Sequence, residues 1–116
     1  MASVSLSLLV LKTPQLERVR DFYAAIGLEF RPEQHGSGPR HYSSQLESVV
    51  LEVYPTEDAA EGSLRVGFAV DNLEIAIQSL NAVEATVISK PKDSPWGRRA
   101  VVRDPDGRSV ELVQKK

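Results

Sequence analysis

Hydrophobic residues in the first half of the chain predict a strand, a helix and then three further strands. Residues 4–11 are mostly apolar with serines in partial alternation, which is typical of a strand in a sheet. Apolar side chains then recur at helical spacing from Leu16 to Ile26, with Thr13 as a candidate N-cap and Gly27 as a helix stop. Three shorter strand-like segments follow, over residues 28–31, 41–46 and 49–54.

The second half repeats this order of elements. A strand over residues 64–70 precedes a helix that begins at Asp71, where Glu74 completes a pattern like a capping box. The closing hairpin turns at Pro105 and Gly107, whose backbone preferences suit a tight turn. The three strands after this helix are predicted over residues 85–89, 98–103 and 109–114.

The two halves form an internal repeat, which sets the predicted fold. Leu16 corresponds to Leu73, and Glu52 corresponds to Glu111 at nearly the same spacing. We therefore predict an α+β fold in which two βαβββ modules in tandem form a curved mixed sheet around a cavity. A ferredoxin-like sheet is the alternative, but it needs two strands between its helices and the pattern gives three. A pseudo-twofold repeat would bring both glutamates towards one central cavity.

The length of the chain suits one domain. We predict a single domain over residues 1–116, with module one at about 3–55, an acidic linker at 56–62 and module two at about 63–116.

Composition narrows the available chemistry. The chain has no cysteine, which excludes disulfides, thiol catalysis and cysteine-ligated zinc. Its net charge of −2 and the lack of a basic run predict no nucleic-acid partner. The apolar segment near the N-terminus is short and has no basic lead-in, so we expect a cytoplasmic protein without a membrane partner. Any metal site would have to use His, Asp or Glu.

Several short motifs occur together in the order of a known superfamily. Phe22-Tyr23 lies late in the first helix with Gly27-Leu28 after it, and Asp104-Pro105-Asp106-Gly107 precedes Val110-Glu111-Leu112. With two βαβββ modules, this combination resembles the vicinal oxygen chelate superfamily of glyoxalase I, bleomycin-resistance proteins and extradiol dioxygenases. The resemblance covers nearly the whole chain and implies a homodimer that binds a small molecule. Members include both metal enzymes and metal-free binding proteins.

The resemblance also implies where a metal would be held, by one residue in the first strand and a glutamate in the last strand of each module. In this sequence those positions are Leu8, Glu52, Arg65 and Glu111. Leucine has no donor atom and a guanidinium stays protonated, so we expect no metal and no other cofactor. Glu52 and Glu111 are then remnants of the metal site. The alternative is a Ni, Zn, Mn or Fe ion held by an altered ligand set.

Arg65 offers a replacement for the metal. Its planar guanidinium could bridge Glu52 and Glu111 and satisfy both carboxylates with charge-assisted hydrogen bonds. Arg65 is therefore a candidate ligand-binding residue on the cavity floor. The alternative is an arginine that points into solvent at the start of a strand.

The chain has only two histidines, His35 and His41, which flank a Gly/Pro-rich loop. His41 begins a strand and is the better candidate for a general base, and the two histidines together with a carboxylate could bind metal. Exposed loop histidines without a role are the alternative. The catalytic candidates are therefore Glu52, Glu111 and His41.

Aromatic residues complete the set of candidates. Tyr54 shares a sheet face with Glu52 and is predicted to line the same cavity. Trp96 could stack on a planar ligand while Arg98 holds its carboxylate or phosphate, and an aromatic lid over the core with solvated arginines is the alternative. The predicted ligand-binding residues are Arg65, Tyr54, Trp96, Arg98 and His41.

These observations favour a glyoxalase/bleomycin-resistance-like protein that binds a small organic molecule without the usual divalent metal site. The first alternative is a metal-dependent lyase, isomerase or dioxygenase with an altered ligand set. Leu8 and Arg65 argue against a metal-dependent lyase, because two of its four ligand positions are lost. The second alternative is a domain whose cavity has filled in and whose role is association.

Overall fold

The computed structural model describes residues 3–115 as two modules with the same order of elements. Residues 1, 2 and 116, which the predicted domain includes, lie outside the described residues. Module one contains β1 (Leu8–Thr13), α1 (Leu16–Ile26), β2 (Arg31–Glu33), β3 (His41–Leu46) and β4 (Val49–Pro55). Module two contains β5 (Arg65–Val70), α2 (Leu73–Ala82), β6 (Thr86–Ser94), β7 (Gly97–Arg103) and β8 (Ser109–Gln114).

Each module forms its own four-stranded sheet. Sheet one has the strand order β1-β4-β3-β2, and sheet two has the order β5-β8-β7-β6. In each sheet the first and last strands of the module are parallel, and the other pairs are antiparallel. The predicted α+β fold with two tandem βαβββ modules is confirmed, and the ferredoxin-like alternative is wrong because four strands, β2 to β5, lie between the helices instead of two.

Strand alternation gives each sheet an inner face, which packs on the helices, and an open face on the other side. The inner faces supply Leu11, Leu51 and Val53 from sheet one and Val102, Val110 and Leu112 from sheet two. The helices add Val19, Phe22, Tyr23, Leu73, Ala76 and Leu80 to the same core. The open faces carry Glu52 and Glu111, because each of these glutamates alternates with inner-face residues along its strand.

The closing hairpin ties the two modules together. The buried carboxylate of Asp104 accepts hydrogen bonds from the Tyr23 hydroxyl in α1 at 2.7 Å and from the Arg108 guanidinium at 3.0 Å. Arg108 also donates to the backbone carbonyl of Lys12 in β1 at 2.7 Å. The turn that follows β7 is therefore held in the core between the modules, where its charged side chains stabilise the fold.

Several element boundaries differ from those predicted. The N-caps are Gln15 and Asn72 instead of Thr13 and Asp71, although the Thr13 hydroxyl does accept a hydrogen bond from the Gln15 backbone N–H. β6 runs through Pro91 to Ser94, where a loop was predicted. Because β6 is an outer strand with two irregularities in its pairing, it tolerates a proline that lacks the N–H donor.

Two further boundaries are shifted in the first module. β1 begins at Leu8, four residues later than predicted from the apolar run, and β2 covers Arg31–Glu33, around the proline that was expected to end it. Neither helix within residues 3–115 is long and apolar enough to cross a membrane.

Candidate functional site

The open face of sheet one brings together His41, Glu33, Glu52 and Tyr54. His41 Nε2 lies 3.3 Å from Glu33 Oε1 and 3.6 Å from Glu52 Oε2. The imidazole stacks on the Tyr54 ring with centroids 3.9 Å apart and planes 12° apart. This contact leaves the His41 side chain only 1% exposed. The predicted proximity of Tyr54 to Glu52 follows directly from their positions two residues apart in β4.

The hydroxyl of Tyr54 is held in its protonated form. Burial, followed by the neighbouring carboxylates of Glu52 and Glu33, raises the pKa of Tyr54. The open face of sheet one therefore offers an aromatic surface with a hydroxyl donor beside two carboxylates.

The open face of sheet two gathers Glu111, Arg99 and Arg65. Glu111 Oε2 lies 2.8 Å from Arg99 Nη2 and 3.8 Å from Arg65 Nη2. Arg65 is the more exposed of the two arginines, at 70% of its side chain. Arg99 reaches Glu111 because Val101 pairs with Glu111, and Arg99 is two residues earlier on the same face of β7.

Glu52 and Glu111 lie in different sheets and have different partners. Glu52 faces His41, whereas Glu111 is paired with two arginines. Within residues 3–115, no ion pair joins Arg65 to Glu52. The bridge by Arg65 between the two glutamates, which we expected from the sequence, is therefore absent, because the repeat places each glutamate in its own sheet.

The residues present do not fit the four-ligand metal site of the superfamily. Leu8 pairs with Val50 in β1–β4 and supplies no donor atom, and the guanidinium of Arg65 lies beside Glu111. A metal ion at that position would meet a fixed positive charge instead of a neutral or anionic ligand.

Arg98 and Trp96 occupy different surroundings from these two open faces. Arg98 points towards α2, where its Nε donates to Glu74 at 2.7 Å, and its Nη1 donates to Asp93 of β6 at 3.3 Å. The hydrogen bond from Arg98 lowers the pKa of Glu74. Trp96 lies in the β6–β7 turn and is 75% exposed. Arg99, which was not among the predicted site residues, is the neighbour of Arg98 that lies on the open face beside Glu111.

Four depressions on the surface of residues 3–115 are lined by neither Glu52 nor Glu111. One of them, of about 630 Å³, lies on the open face of sheet one beside the His41–Tyr54 pair. Its lining residues are Glu29, Phe30, Arg31, Glu33, Ser43 and Gln45. Glu33 is shared between this depression and the His41 contacts, so the two form one continuous surface.

Comparison with protein families gives a match to the glyoxalase-like domain over residues 8–113. The chain belongs to the glyoxalase-like domain family. The resemblance inferred from the sequence motifs is thereby confirmed. Comparison of this glyoxalase-like protein with curated proteins finds no match.

Two solved structures from Streptomyces sp. CB03234 are similar to this glyoxalase-like protein along its length. TnmS3, an antibiotic-binding protein, is 26% identical with a TM-score of 0.77, and the match covers 100% of this chain and 99% of TnmS3. A glyoxalase/bleomycin resistance protein is 27% identical with a TM-score of 0.73, covering 95% and 100% of the two chains. The oxidase ChaP-H2, 16% identical with a TM-score of 0.78 over 99% and 96%, shows the fold alone.

Proposed function

We propose that this glyoxalase-like protein binds a small organic molecule on the open face of sheet one, without the four-ligand metal site of the metal enzymes. The observation that carries the proposal is the depression of about 630 Å³ beside the stacked rings of His41 and Tyr54. This volume lies within the range of small-molecule sites. The lining of the depression is polar except for Phe30, and the stacked rings beside it supply the aromatic surface. The similarity to TnmS3, an antibiotic-binding protein, supports a binding role.

The charges around the depression favour a planar aromatic ligand that is neutral or positively charged. Glu29 and Glu33 line the depression, and Glu52 faces His41. These three carboxylates outnumber the one guanidinium in the lining, that of Arg31. Carboxylates attract a cation and repel an anion, and the face of Tyr54 adds to this preference because aromatic rings attract cations. Arg65 and Arg99 on sheet two are candidates to hold an acidic group of a larger ligand.

Variants of two tyrosines test this proposal. Binding of naphthylmethylamine and of naphthoate would be measured by calorimetry in the presence of a chelator, so that no metal contributes. We expect Tyr54→Leu to weaken naphthylmethylamine binding roughly threefold to tenfold, the equivalent of about 0.5–1.5 kcal/mol of aromatic contact. Tyr42→Leu is the matched control, because Tyr42 lies on the inner side of β3 and contacts Arg20 of α1.

The proposal fails if naphthoate binds more tightly than naphthylmethylamine, or if Tyr42→Leu and Tyr54→Leu weaken binding equally. The first result would place the ligand beside the arginines of sheet two. The second would mean that the tyrosines act only through the stability of the module.

We further propose that the protein acts as a homodimer in the cytoplasm. β1 is an outer strand of sheet one, and it exposes Leu8 and Val10 by 51% and 37% on the open face. An outer strand with exposed apolar side chains is favourable for association with a second copy. The cytoplasmic location is compatible with a sequence without cysteine, which has no disulfide to form in an oxidising compartment.

An enzyme with an altered metal-ligand set is the second candidate function. It is favoured by one specific observation, the proximity of two histidines and two glutamates in module one.

A further inference from the structure

Four side chains that can ligate a metal converge at one end of sheet one. They are Glu33 at the end of β2, His35 in the following loop, His41 at the start of β3 and Glu52 in β4. One ligand atom from each of the four lies within 4.8 Å of the others. The family's metal positions span both modules, whereas this group lies in module one and shares only Glu52 with them.

His41 is the member of this group that points to a ligand. Its Nδ1 lies 3.2 Å from the Pro39 carbonyl oxygen, and only an N–H at Nδ1 can make that hydrogen bond. The Nε2 atom of the neutral imidazole then carries a lone pair. Although His41 is 1% exposed, its Nε2 has no hydrogen-bond partner among the described side chains and backbone.

The atoms around His41 Nε2 are all electron-pair donors. Glu33 Oε1 lies 3.3 Å away, Glu52 Oε2 lies 3.6 Å away, and Glu33 Oε1 also lies 3.9 Å from His35 Nε2. Lone pairs that converge on one point are compensated by a cation, either a proton on Nε2 or a metal ion. The Nδ1 contact to the Pro39 carbonyl is the kind of outer hydrogen bond that orients a ligating histidine.

We propose that Glu33, His35, His41 and Glu52 bind a zinc ion. Two imidazole nitrogens and two carboxylates make a mixed N/O set, which suits Zn²⁺ and does not suit Mg²⁺ or Ca²⁺, since those ions prefer oxygen ligands alone. The His35 side chain is 72% exposed and is followed by Gly36, whose φ is 58°. His35 can therefore close on the ion from solvent without disturbing the sheet.

The test uses metal alone, with no organic ligand, so its outcome is independent of the ligand-binding function proposed above. Chelator-treated protein would be titrated with Zn²⁺ by calorimetry and with Co²⁺ by visible absorption, which reports the coordination geometry. We expect one equivalent of either ion. Loss of a hydrogen bond that orients a metal ligand lowers metal affinity about 10–100-fold. We expect loss of a ligand itself, in Glu33→Gln, His35→Gln or Glu52→Gln, to lower zinc affinity by at least this factor.

Glu111→Gln is the matched control, because Glu111 is the counterpart of Glu52 in module two but lies in the other sheet. We expect it to leave zinc affinity unchanged. The proposal is overturned if Glu111→Gln weakens binding as much as Glu52→Gln, or if His35→Gln and Glu33→Gln have no effect. These two positions are at the surface, so their variants keep the test decisive even if a variant of buried His41 fails to fold.

Discussion

The carboxylate of Asp104 accepts hydrogen bonds from the Tyr23 hydroxyl, from two backbone N–H groups and from the Arg108 guanidinium, all within the core. Burial opposes the positive charge of Arg108, but its contacts with Asp104, Tyr23 and Asp106 outweigh this effect and raise its pKa. The turn was predictable from Pro105 and Gly107, because turn chemistry is local. The burial of Asp104 and Arg108 was not, because it depends on the other module.

Stability at alkaline pH tests the role of Tyr23. Burial, followed by the nearby Asp104 carboxylate, raises the pKa of Tyr23 above its ordinary value of 10.0. Above about pH 10 the unfolded chain therefore releases the tyrosine proton while the folded chain keeps it, so the free energy of unfolding falls as pH rises. Denaturant unfolding at about pH 7 and about pH 11 would measure this loss.

Tyr23→Phe should reduce the fall in the free energy of unfolding between about pH 7 and about pH 11. It should also lower this free energy at about pH 7 by about 1–2 kcal/mol, because a buried hydrogen bond to Asp104 is removed. Tyr42→Phe is the control, since its hydroxyl accepts a hydrogen bond from Arg20 at the edge of the core. An equal fall in the free energy of unfolding at alkaline pH in the wild type and in Tyr23→Phe would contradict this account.

At the scale of the elements, the helices and most strands were predictable because their apolar spacing is strong. β3 is found at the predicted residues 41–46, and α1 covers Leu16–Ile26. Arg98 was predicted from its place beside Trp96, whereas the residue on the face of Glu111 depends on alternation along β7 from Val101, the partner of Glu111. Counting by two from that position would have identified Arg99.

The start of α2 provides a prediction at this scale. The Asn72 side chain accepts a hydrogen bond from the Ile75 backbone N–H at 3.1 Å, whereas Asp71 lies one residue outside the helix. Asn72→Ala should therefore lower the free energy of unfolding by about 1 kcal/mol. Asp71→Ala should change it by less than about 0.5 kcal/mol. Chemical denaturation of both variants would decide between the two residues, and a larger loss in Asp71→Ala would restore the N-cap predicted from the sequence.

At the scale of the whole molecule, the repeat predicted two equivalent modules but not how their open faces are arranged. Glu52 and Glu111 are equivalent in sequence, yet one faces a histidine and the other two arginines. The pattern within a module determines which side chains share a face. The packing of the modules depends on core contacts such as those of Tyr23 with Phe68, which no local pattern contains.

Association of two copies is a prediction at this scale. Val10→Lys places a charge on the exposed apolar side of β1, and it should shift the protein from dimer to monomer in sedimentation velocity. Val83→Lys is the control, because Val83 is exposed to a similar extent, 43%, at the end of α2. A wild-type protein that sediments as a monomer, or a dimer that survives Val10→Lys, would contradict the proposed use of β1.

The most direct measurement of the central claim is an amide NMR titration with naphthylmethylamine in the presence of a chelator. We expect the largest shifts at Glu33 and Ser43, which line the depression on the open face of sheet one, and at Tyr54 beside it. This result would show that the face binds an organic cation without metal. Shifts confined to other parts of the chain, or none at saturating ligand, would contradict the claim that this open face is the binding site.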